Sequence, residues 1–121
     1  MTLKSCIHRA LMVAALASAA PAVADNYSFM KETPYSRFTK EDHKIFQRAL
    51  SDALDKGADG EARAWSNPST NASGELTALK TFERARATCR TVLIANKAKG
   101  LTASGEYNFC KKSSGKWALS S

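Results

Sequence analysis

Histidine and cysteine are scarce in this sequence of 121 residues, with two of the first and three of the second, and their scarcity removes whole classes of chemistry. A structural zinc site wants four nitrogen or sulfur ligands. Beyond the first two dozen positions only His43, Cys89 and Cys110 could serve, so no such set exists. The two late cysteines have twenty residues between them, unlike the C-x-x-C pair of a thioredoxin-like redox centre. P-loop and dinucleotide fingerprints are missing. The stretch "GLTASG" from Gly100 to Gly105 is no nucleophile elbow, because Thr102 stands where that motif needs its first glycine. Glu61, Glu75, Glu83 and Glu106 form no local pair that would mark a glycosidase. His43 lies beside Asp42 and Lys44 with no nucleophile in reach and reads as a solvated helix residue. The expectation is a non-catalytic protein without cofactor or metal.

Long apolar runs are also missing, except for "ALMVAALASAAPAVA" near the start. Lys4, His8 and Arg9 precede it, and it closes on Ala22-Val23-Ala24, the order of a secretory signal peptide over residues 1–24. It is shorter than the roughly 18–20 apolar residues of a spanning helix, and Pro21 interrupts it. Cys6 precedes the apolar run rather than following it, so no lipid anchor is indicated. Removing the signal takes Cys6 with it. The remaining 97 residues suit one small domain, and an exported chain with two cysteines most simply forms one disulfide.

Residues 25–38 show no sustained period and read as an extended lead-in with unusually many aromatics, Tyr27, Phe29, Tyr35 and Phe38. Residues 39–121 read as the domain. Thr39 and Asp42 offer a capping pair, and Phe46, Ala49, Leu50, Ala53 and Leu54 follow as one apolar stripe, predicting an amphipathic helix over 40–56. Gly57 is a plausible left-handed stop. Strand-like runs follow at 61–66, 76–82, 87–96, 102–110 and 116–120, with 67–74 as a loop opened by Asn-Pro. The predicted fold is α+β, one N-terminal amphipathic helix packed on a four- to five-stranded antiparallel sheet with one disulfide.

If the third and fourth strands form a hairpin centred between Lys99 and Gly100, facing residues have numbers totalling 199, as those of Cys89 and Cys110 do. Facing positions in an antiparallel ladder lie within disulfide range. This register sets Val92 against Tyr107, Ile94 against Gly105 and Arg90 against Phe109 on the face meant for the helix. The cysteines share the other face with Thr91, Asn108, Leu93 and Glu106. Closing this loop is worth roughly 3 kcal/mol.

The sequence "ARAWSNPSTNASGELTALKTF", the pair Cys89-Arg90 and "CKKSSGKW" from Cys110 to Trp117 resemble the C-terminal domain of the 17 kDa outer membrane surface antigen family of Gram-negative bacteria. The resemblance covers about residues 39–119. Many members carry a lipobox cysteine and a glycine-zipper segment ahead of this domain, and this chain shows neither. The resemblance therefore implies an antigen domain exported alone, periplasmic or loosely attached to the outer membrane. It carries no catalytic residues.

Positive charge is what the chain has in excess: after the signal, 16 basic residues stand against 11 acidic, a net charge of +5. Arg84, Arg86 and Arg90 share parity, Lys97 and Lys99 sit at a hairpin tip, and Lys111, Lys112 and Lys116 flank the last turn. Such residues could form a basic rim that grips a phosphate-bearing lipid or an acidic partner. Export and the lack of a basic-aromatic signature argue against nucleic acid. Trp65 and Trp117 read as core anchors of the sheet. The expected function is binding of an envelope component or partner protein. The alternative is a secreted inhibitor or effector that inserts the 67–74 loop into a host or rival enzyme.

Overall fold

The structure, a computed structural model, describes residues 32–120. The signal sequence expected in residues 1–24, and the lead-in as far as residue 31, lie outside them. In chain order come a 3-10 turn at Pro34–Arg37, helix α1 (Lys40–Lys56) and strands β1 (Ala62–Asn67), β2 (Ala72–Arg84), β3 (Ala87–Ala98), β4 (Leu101–Lys111) and β5 (Trp117–Ser120). The strands lie in one sheet in sequence order, each antiparallel to its neighbours. One helix on a five-stranded antiparallel sheet is the α+β architecture expected from the pattern of stripe and alternation.

Thr39 and Asp42 cap α1 reciprocally. The Thr39 hydroxyl accepts from the Asp42 N–H at 3.1 Å, and the Asp42 carboxylate accepts from the Thr39 N–H at 2.9 Å. Asp42 is also 1% exposed and accepts from Asn67 Nδ2 and Thr70 Oγ1, each at 2.7 Å. The start of the helix is thus fastened to the β1–β2 turn. Burial pushes the Asp42 carboxyl up, but the hydrogen bonds from the Thr39 backbone, Thr70 and Asn67 outweigh it and hold the pKa below its ordinary value.

At its other end the helix departs from expectation. Gly57 is extended, with φ −72° and ψ 136°, not left-handed. Glycine is required there by closeness, since a Cβ would stand 2.6 Å from the Ala53 carbonyl oxygen.

The apolar stripe buries Phe46, Ala53 and Leu54 and half-buries Ala49 and Leu50 against Trp65, Ala72, Leu76, Val92 and Ala98. Each fully buried large side chain contributes about 1.5–3 kcal/mol. The lead-in is not wholly extended. Thr33 and Ser36 cap the 3-10 turn reciprocally, Pro34 occupies its first turn, and buried Phe38 meets the Trp65 ring edge-on at 5.2 Å.

The expected loop at 67–74 is shorter in the structure. Its small polar residues still pair, Ser66 with Ser73 and Asn67 with Ala72, leaving a four-residue turn at 68–71 with Asn71 at φ 66°. Asparagine tolerates that left-handed backbone better than most residues. The β3–β4 register is as the cysteine spacing predicts: Cys89 faces Cys110, Arg90 faces Phe109, and Val92 faces Tyr107. The sulfurs are bonded, Sγ to Sγ 2.05 Å.

Candidate functional site

Successive residues of β3 point to opposite faces of the sheet, and the pair Cys89-Arg90 uses both. Cys89 joins Cys110 on the face away from α1. Arg90 turns under the helix and is 7% exposed. Its Nη1 donates to the carbonyls of Ala53 and Leu54 at 3.1 and 2.9 Å, and its Nη2 donates to Asp59 at 2.8 Å. These carbonyls carry the partial negative charge of the helix end, so the guanidinium closes the helix as well as the ion pair. The hydrogen bond from Arg90 holds the Asp59 carboxyl below its usual range, and Thr81 adds to it.

The basic residues singled out in the sequence therefore fall in three places. Arg90 is inside and engaged. Lys97 and Lys99 lie at the end of the sheet that carries the β1–β2 and β3–β4 turns. Arg84, Arg86, Lys111, Lys112 and Lys116 lie at the opposite end, all exposed, because the β2–β3 and β4–β5 turns of an antiparallel meander share one end. The shared parity of Arg84, Arg86 and Arg90 would put them on one side only if residues 84–90 were extended throughout, and they are not. Ala85 and Arg86 have φ 50° and 68°, making a two-residue turn whose handedness matches the twist of the strands.

At that end Lys112 donates its N–H to the Lys116 carbonyl at 2.7 Å, and Gly115 turns the chain at φ 90°. The Arg84 guanidinium stacks over Phe82 at 5.5 Å and donates to Ser120 Oγ at 2.8 Å. Lys80 Nζ lies 5.9 Å from the centroid of the same ring, and Lys111 Nζ 5.7 Å from that of Trp117. Phe82 itself faces Cys89 across the β2–β3 ladder. Glu83, between Phe82 and Arg84 in the strand, accepts from the Thr88 hydroxyl at 3.4 Å. The result is a basic end with one cation–ring cluster on each face of the sheet, Phe82 on the disulfide side and Trp117 on the helix side, suited to charge-assisted hydrogen bonds with a phosphate-bearing ligand.

Other candidates are placed differently. His43 is half-buried, with its ring 4.7 Å from that of Tyr35 and 5.3 Å from that of Phe38, where the sequence suggests a solvated residue. The lead-in folding back over the helix start covers it. Trp65 is a core anchor at 6% exposure, and Trp117 is half-buried at the margin of the core with its Nε1 donating to Asp55 at 2.8 Å. The 67–74 segment is pinned through Asn67 and Thr70 to Asp42. Among the described residues no group of three or more His, Cys, Asp and Glu is placed to hold a metal ion, and no helix is long and apolar enough to cross a membrane.

The role of Arg90 escapes a reading by charge alone. Its signal in the sequence is its place opposite Phe109 on the helix-facing side, since an inward arginine must find acceptors.

No protein-family model, no curated protein and no solved structure matches this chain.

Proposed function

We propose that this chain is an exported, non-catalytic binding domain that holds an anionic, phosphate-bearing component of the cell envelope at its basic end. The carrying observation is the convergence of Arg84, Arg86, Lys111, Lys112 and Lys116 from two separate turns onto one end of the sheet. The excess of positive charge in the sequence supports the same reading. A disulfide between facing strands supports an oxidising compartment. The resemblance of the segments around Trp65, Cys89 and Cys110 to the 17 kDa surface antigen domain supports an envelope setting, periplasmic or associated with the outer membrane.

The test is binding of the purified protein to phosphatidylglycerol-containing vesicles and to lipopolysaccharide across a range of sodium chloride concentrations. Retention that weakens as salt rises is expected. Reversing two charges in Arg86→Glu/Lys112→Glu is expected to weaken binding more than about tenfold, at about 1 kcal/mol per basic residue near an anionic surface. Lys97→Glu/Lys99→Glu serves as the control and should lose much less. Absence of salt-sensitive retention defeats the proposal, and equal loss from both pairs defeats the assigned location.

A further inference from the structure

β4 is longer than β5, the strand on its outer side. β5 pairs only with residues 108–111, so among the described residues no strand covers the β4 edge over 101–107. The direction of its backbone groups follows from the β4–β5 turn, where the Lys112 N–H donates to the Lys116 carbonyl. Alternate residues point the same way, so Thr102, Ser104 and Glu106 aim their N–H and C=O groups out of the sheet. No proline, lysine or bulge blunts this stretch, although these are the usual protections of an exposed edge.

We infer that the β4 edge is a dimerisation surface, on which a second copy of this chain adds its own β4 antiparallel about a twofold axis at Ser104. The occupant follows from the stretch itself. Its seven open residues are centred on Ser104, and antiparallel pairing about that centre sets Ser104 against Ser104, Thr102 against Glu106, Ala103 against Gly105 and Leu101 against Tyr107. All three outward-pointing residues then exchange backbone hydrogen bonds with the second copy. No like charges face each other. Within one copy Lys97 faces Thr102, so the second copy's Glu106 falls in the same row, two strands from the Lys97 ammonium. On the helix side the pairing covers Tyr107, which is 45% exposed, and brings Leu101 of the other copy onto it. A twofold axis perpendicular to the sheet leaves both helices on one face, joining the two sheets as one of ten strands.

Sedimentation equilibrium of the full mature chain, with its disulfide intact, tests this. A concentration-dependent dimer is expected, of the weak kind that a small interface supports. Ser104→Pro removes an outward N–H without touching the β3 ladder, and Ser104→Lys sets two ammonium groups face to face. Both are expected to remain monomeric with unchanged far-ultraviolet circular dichroism. Register is read by cross-linking with a short bifunctional maleimide. Ser104→Cys should give covalent dimers alone, whereas Thr102→Cys should give them efficiently only when mixed with Glu106→Cys. A wild-type chain that stays monomeric up to millimolar concentration overturns the inference. So does a dimer that survives both Ser104 substitutions, or one that forms only beside an added extended peptide.

Discussion

Trp65 stands directly across the β1–β2 ladder from Gly74, and its indole N–H donates to Asn96 on β3 at 3.2 Å. The indole crosses above β2 to reach that acceptor, and only a residue without a side chain leaves the passage open. A Cβ at Gly74 would run into Trp65 Nε1 and Asn96 Oδ1, and would approach the Ala95 carbonyl to 2.6 Å.

Gly74→Ala is therefore expected to destabilise the domain by about 1–3 kcal/mol, as an overpacked core substitution does. Urea denaturation followed by tryptophan fluorescence measures it. An unchanged midpoint and emission maximum would mean that the indole has another way across.

Asp42 joins helix, cap and turn, and Asp42→Ala is expected to cost about 2 kcal/mol through the lost cap and the stranded partners Asn67 and Thr70. Its pKa is depressed in the folded protein. The stability it supplies is therefore present above the ordinary aspartate value and is lost as pH falls through the lower, folded value. Thermal scans between pH 6 and about pH 2 should show the wild type losing stability at the acid end of that range, with Asp42→Asn flatter. Parallel curves for the two would contradict this.

Replacing Arg90 by methionine keeps the bulk of the stem and removes the donors to Ala53, Leu54 and Asp59. The expected loss is about 2–4 kcal/mol, because the buried Leu54 carbonyl loses its side-chain donor and Asp59 its ion-pair partner, while the Ala53 carbonyl keeps only the Gly57 N–H. Arg90→Lys is expected to recover only part of it, since one ammonium cannot reproduce the two-pronged contact. Hydrogen exchange at the last turn of α1 reads this directly. Protection there equal to wild type in Arg90→Met would refute the anchoring role.

Reduction of the disulfide, or Cys89→Ser/Cys110→Ser, is expected to lower stability by about 3 kcal/mol while leaving the sheet in place. Circular dichroism at low temperature should match the oxidised protein, and the melting temperature should fall. Collapse of the strand signal on reduction would show instead that the bond directs the pairing.

The parts of this architecture that the sequence declares are those set by a period or a spacing. The stripe from Phe46 to Leu54 marks the helix, and the two cysteines at equal distances from the Lys99 and Gly100 turn mark the β3–β4 register. What it conceals depends on neighbours distant in the chain. Ala72 and Ser73 look like loop residues, yet they pair because Asp42 holds the turn beside them. The register shift between Ala78 and Lys80 moves Thr81 opposite Arg90, and no residue type announces it. Of the basic residues, the local sequence shows the charge but not the enclosure. Arg90 and Arg84 look alike until the helix is laid over one and not the other.

Neighbouring residues with commitments on opposite sides also restrict how this chain can vary. Cys89 is held from behind the sheet and Arg90 from in front, so inserting or deleting one residue between Arg90 and the hairpin tip, unless a bulge of the kind at Ala78 and Lys80 absorbs it, would force a choice between the sulfur link and the helix anchor. Between the two cysteines, length changes are best tolerated at the tip itself, where Lys99 and Gly100 reverse the chain and neither obligation reaches. Chains that share this hairpin but differ in its length should therefore differ at that bend and keep equal counts from cysteine to bend on each arm.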